Sequence, residues 1–121
     1  MNGFMKTPDT NEILKHSEVE LRSKTKSHLL SLTTSNNSSM RALAVRNLEF
    51  YPEHLDVLLT LINIESEEVV IKEIRHSLLA LYKIDSMKDV IEHELKKLCA
   101  HYDEDTDWYK FYNQLLGTVN N

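Results

Sequence analysis

Between Gly3 and Gly117 the chain has no glycine, and its only prolines are Pro8 and Pro52. Tight hairpin turns need residues that tolerate positive φ, and β-rich or α/β domains use glycine for most of them. An interior without glycine therefore points to helices joined by polar loops. The same scarcity excludes a P-loop or a dinucleotide-binding fingerprint, since both need glycines where backbone approaches phosphate. No segment of useful length alternates with period two, so no β-sheet is expected.

Apolar residues recur instead at three- and four-residue spacing. Asp9 and Glu12 resemble a capping box and open a first helix near Thr10, with Ile13 and Leu14 apolar. The polar stretch Ser17 to Ser27 leaves either one long helix or two short ones, ending near Thr33. Thr33 to Ser38 is a break, rich in side chains that compete with the backbone for hydrogen bonds. Ser38 or Ser39 is the expected cap of a second helix, with Met40, Leu43, Ala44, Leu48 and Tyr51 on one face. Pro52 ends that helix and suits the first turn of the next.

The third helix is apolar on more than one face (Leu55, Val57, Leu58, Leu59, Leu61, Ile62), as a helix sandwiched between neighbours must be. Ser66 is the expected cap of a fourth, with the stripe Val70, Ile74, Leu78 and Leu81. Ser86 and Asp89 open a fifth, with Met87, Val90, Ile91, Leu95, Leu98 and Tyr102. After the acidic run Asp103-Glu104-Asp105, Thr106 or Asp105 caps a last helix, for which Gly117 is the expected C-cap. Trp108, Phe111, Tyr112 and Leu115 lie on one side of it, with Trp108 and Tyr112 expected in the core and Tyr109 at least partly exposed.

The helices repeat. At an offset of 31, Met40-Arg41-Ala42-Leu43 lies over Ile71-Lys72-Glu73-Ile74, Leu48 over Leu79, and Tyr51 over Tyr82. At an offset of 33, Asp56-Val57-Leu58 lies over Asp89-Val90-Ile91. Such a period is that of helical solenoids. The segment Met40-Arg41-Ala42-Leu43-Ala44-Val45-Arg46-Asn47-Leu48 resembles the first helix of a HEAT repeat, with its hydrophobic-Arg pair and small residues. The second copy carries Lys72 for the arginine, and Ile74 and Leu78 where the family usually has alanine. The resemblance covers about residues 37–101. It implies a short, right-handed HEAT-like α-solenoid of five or six helices and a protein-binding function. Residues 1–121 form one such domain, with 1–10 a candidate disordered lead-in.

The net charge of −5 is one-sided. Residues 1–60 hold seven basic and seven acidic residues, whereas residues 61–121 hold seven basic and twelve acidic. An acidic surface repels nucleic acid and suits a basic protein partner. A single cysteine, Cys99, forms no internal disulfide. No apolar run approaches a membrane span, and Met1 to Thr10 lack a signal-peptide core, so a cytoplasmic location is expected.

No catalytic constellation stands out. His16, His28, His54, His76, His93 and His101 include no pair at the three- or four-residue spacing of a helical zinc site. His93 and His101 are two turns apart, roughly 12 Å. Cys99 beside an apolar stripe reads as a buried thiol, with His101 on another helical face. Arg22, Lys24, Lys26 and His28, with Arg41 and Arg46 as additions, read as a solvated basic face.

The expectation is therefore a non-enzymatic, acidic protein-binding module without metal or cofactor. Its most concrete form is an immunity protein that neutralises a bacterial toxin, such as a basic nuclease. Glu92, Asp103, Glu104, Asp105 and Tyr109 are the candidate contacts. The alternatives are an adaptor or regulatory subunit of a larger assembly, and a small-ligand-binding helical protein with a pocket near His54 and His93.

Overall fold

The computed structural model describes residues 24–119, with side chains through Gly117. The expected helix start at Asp9 and Thr10 lies outside these residues. Helix α1 covers 24–32. It is followed by α2 (Ser38–Asn47), two short 3₁₀ turns (Leu48–Phe50 and Pro52–His54), α3 (Leu55–Leu61), α4 (Glu68–Leu81), α5 (Asp85–Cys99) and α6 (Asp107–Val119). The fold is all-α, with no strand among the described residues. No helix among them is long and apolar enough to cross a membrane.

Helix α1 ends where expected. The Thr33 hydroxyl donates to the Leu30 carbonyl at 2.7 Å, and the Thr34 hydroxyl to that of Ser31 at 3.0 Å. Helix α2 is capped by Asn37 rather than by Ser38 or Ser39. The Asn37 Oδ1 accepts from the backbone N–H groups of Ser39 at 2.9 Å and Met40 at 3.2 Å. Asparagine is among the strongest N-caps, and its extended backbone here places the oxygen over the first turn. Neither Ser66 nor Ser86 caps its helix: α4 and α5 follow Glu67 and Ile84, both extended and without a side-chain cap bond. Thr106 does stand directly before α6, and its carbonyl accepts from the Lys110 N–H at 3.0 Å. Gly117 is no C-cap: α6 runs through it to Val119, and no described glycine has positive φ.

The centre of the molecule is the pairing of α2 with α4. Arg41, near the start of α2, bonds Glu65 just before α4, and Glu49, beyond the end of α2, meets His76 one turn from the end of α4. The two helices therefore run in the same direction, with α3 as the return between them. Helix α2 buries Ala42, Ala44 and Val45, Leu48 just after it is buried too, and Ser77 of α4 reaches the Val45 carbonyl at 2.7 Å. This corrects the expected face: Met40 and Leu43 are 42% and 53% exposed. Small side chains let helix axes approach, and the larger ones are turned away.

Helix α4 buries Val70, Ile74, Leu78 and Leu81 as its spacing predicts. Helix α3 is covered on two sides: Leu55, Leu58, Leu61 and Ile62 are buried, and Val57 and Leu59 pack against the core. Helix α5 buries Ile91, Leu95 and Leu98, whereas Val90 and Tyr102, placed on the same stripe by sequence, are exposed. Val90 precedes Ile91 on the outer side, and Tyr102 lies beyond the helix end.

Helix α6 differs from expectation in the same way. Phe111 and Leu115, one turn apart, are buried, and Trp108 and Tyr112 flank them half-buried. The Trp108 ring meets Phe111 edge-on at 5.9 Å and 82°, and the Arg75 guanidinium lies 5.4 Å from its centroid. The same guanidinium donates to Glu68 at 2.6 Å, so the Trp108 ring lies against a paired cation.

Candidate protein-binding surface

The α5–α6 connection carries the acidic run outward. Asp103, Glu104 and Asp105 are all exposed. The turn beneath them is held by Thr106, whose N–H and hydroxyl both donate to the Asp103 carbonyl, at 3.1 and 2.8 Å. That carbonyl is occupied inside the turn while the carboxylates face solvent. Asp107 adds a fourth acid in the first turn of α6, where the helix dipole favours it. Tyr102, 46% exposed, stands at the head of the run.

Beside this connection α5 and α6 form a groove of about 260 Å³, lined by Lys96, Cys99, Ala100, Tyr109 and Tyr112. Tyr109 is half-buried there, as expected. The structure thus brings Asp103, Glu104, Asp105 and Tyr109 to one end of the molecule. Burial pushes the thiol of Cys99 up, which disfavours the thiolate. His101 is exposed, so the two do not share an environment.

Glu92 is used differently. Its Oε1 accepts the hydroxyl proton of buried Tyr82. Burial, and then this bond, push the Tyr82 phenol up to about 12. Burial and then the Glu92 charge also raise Tyr112. Glu92 thus closes a contact between the end of α4 and α5, half-buried in the middle of α5 and not brought together with the acidic run.

The basic additions to the Lys24–His28 face are spent elsewhere. Arg41 is held by Glu65, and Arg46 lies 4.0 Å from Glu73. Arg22 and His16 lie outside the described residues. His76 pairs with Glu49 at 3.1 Å. His93 is exposed and His54 half-buried, and neither lines the groove at Tyr109. Among the described residues, no group of three or more His, Cys, Asp or Glu could hold a metal ion.

Two features were missed in the sequence. Ser77 is buried and bonds the Val45 carbonyl at 2.7 Å, with Arg46 O at 3.3 Å. Its separation from Val45 matches the repeat period, which was the available signal. The grooves around Ile64 gave no signal, because they join elements distant in sequence. Comparison with protein-family models, with curated proteins and with solved structures gives no match to this chain.

Proposed function

We propose that this protein binds and neutralises a basic protein, in the manner of an immunity protein that blocks a toxin such as a nuclease. The observation that carries this reading is the exposed run Asp103-Glu104-Asp105, set between the exposed Tyr102 and the half-buried Tyr109. Clustered carboxylates steer a cationic partner into encounter. Tyrosines at such a site supply contact area at low entropic cost. The parallel pairing of α2 and α4 supports a HEAT-like scaffold beneath it, and such scaffolds present extended binding surfaces.

The test is capture from the source organism's lysate by the wild-type protein and by the triple charge reversal Asp103→Lys, Glu104→Lys, Asp105→Lys. One basic protein, recovered by the wild type and lost with the variant, supports the reading. A multi-subunit assembly recovered equally by both supports the second reading, an adaptor. That reading is favoured by Met40 and Leu43, which are 42% and 53% exposed at three-residue spacing on α2. Apolar side chains aligned at this spacing suit a second contact surface.

A further inference from the structure

Ile64 is 70% exposed on the α3–α4 connection, the most exposed of the large apolar side chains among the described residues. Surface grooves open on either side of it. One, of about 280 Å³, is lined by apolar Val57, Leu61 and Ile64 and by polar Thr33, Thr34, Thr60 and Asp56. Another, of about 410 Å³, continues past Asn63 to Glu94.

The hydrogen-bonding character of the first groove is one-sided. The Thr33, Thr34 and Thr60 hydroxyls donate to the carbonyls of Leu30, Ser31 and Asp56, at 2.7, 3.0 and 2.9 Å. Each hydroxyl proton is therefore committed to its own helical turn, and only oxygen lone pairs remain for an incoming group. Asp56 adds a carboxylate that only accepts, and it is exposed. No cationic side chain lines these two grooves, but Arg41 lines a third, of about 430 Å³, that shares Thr33, Thr34, Leu61 and Ile64 with the first. The nearby Arg41 is bound to Glu65 and to the Ser35 carbonyl. The first groove thus offers apolar contact and acceptors, and its side chains leave no hydroxyl proton free.

We propose that this groove seats a lysine or arginine side chain of a protein partner. The aliphatic stem lies on Val57, Leu61 and Ile64, and the charged head donates to Asp56 and the threonine oxygens. Long cationic side chains are built for such sites, with an apolar stem and a donor-only tip. A second copy of this chain docked face to face would instead set Asp56 against its own image. The inference stands apart from the acidic α5–α6 connection and does not need it.

The test uses a fluorescein-labelled amphipathic peptide of leucine and lysine, and its counterpart with glutamate for every lysine. Binding is followed by anisotropy and by amide chemical-shift mapping. The lysine peptide is expected to bind and to shift the amides of Thr34, Asp56, Thr60 and Ile64. Asp56→Asn and Ile64→Ser should each weaken binding about fivefold or more. Both positions are solvent-exposed, and circular dichroism checks that the fold is kept. The variant Asp103→Asn, Glu104→Asn, Asp105→Asn should stay within about twofold of wild type, since charge lost at a distance changes affinity little. No binding, equal binding of the glutamate peptide, or indifference to both groove variants overturns the proposal. So does loss of binding in the acidic-run variant alone, which would instead assign the peptide to the α5–α6 connection.

Discussion

Arg41 grips Glu65 with two parallel bonds, Nε to Oε1 at 2.9 Å and Nη2 to Oε2 at 3.1 Å. The pair is mostly shielded, and each partner has further duties. Arg41 Nη1 donates to the Ser35 carbonyl at 2.8 Å. Glu65 Oε2 accepts from the N–H groups of Ser66 and Glu67, at 3.2 and 3.3 Å. One ion pair thus fixes the entry to α2 against the entry to α4, and it supplies acceptors where α4 has no side-chain cap.

Removing the Glu65 charge should therefore loosen both helix entries. The Arg41 bond holds the Glu65 carboxyl below its usual range. A depressed folded-state pKa contributes stability above the unfolded carboxyl pKa, and that stability is lost as pH falls through the folded value. Thermal melts should show the wild type losing stability on acidification below about pH 4. Glu65→Gln should lower the midpoint at neutral pH by about 5 °C and flatten this acid dependence.

Ser77 tests how closely α4 sits on α2. It is fully buried and donates to the Val45 carbonyl. That carbonyl also accepts from the Leu48 N–H, so Ser77→Ala leaves it partnered. The expected cost is about 1 kcal/mol by urea unfolding. Ser77→Leu must force the helices apart and should cost about 3 kcal/mol.

The direction in which α2 faces makes a paired prediction. Leu43→Ser, at an exposed site, should change stability by less than about 0.5 kcal/mol. Ala44→Leu, at a site with no exposure, should destabilise by about 2 kcal/mol through overpacking. Denaturant titration of the two variants reads both effects.

Tyr82 is predicted to be the last tyrosine to ionise. Its phenol, buried and bonded to Glu92, is raised to about 12. A raised folded-state pKa contributes stability that is complete below the unfolded value near 10 and declines as pH rises towards 12. Tyr82→Phe should cost about 1.5 kcal/mol at neutral pH, because it strips a donor from Glu92. It should also make unfolding between pH 10 and 12 less steep, as read by ultraviolet tyrosine absorbance against pH.

The helices were legible because their apolar spacing is a local property. Val70, Ile74, Leu78 and Leu81 needed no partner to be identified as a buried stripe, and Pro52 marked its own turn. The buried side of α2 was not legible: Leu43 is more apolar than Ala42, yet Ala42 is the buried one, a choice set by packing between helices and not by local spacing. The same holds for α6, where Phe111 and Trp108 both suit a core, and Trp108 lies half-buried beside Arg75. Asp103, Glu104 and Asp105 were legible as exposed because charge and turn chemistry agree there. Glu92 looked equally available, but its hydrogen bond from Tyr82 depends on how α5 packs against the end of α4.

Docking of a basic protein on the α5–α6 connection, as proposed above, predicts a difference between two forms of the protein. The most direct measurement is quantitative recovery of partners by wild type and by Asp103→Lys, Glu104→Lys, Asp105→Lys, side by side at low and high salt. One basic partner should dominate the wild-type recovery and fall by at least about tenfold with the variant at low salt. Equal recovery of the same proteins by both forms would contradict the claim.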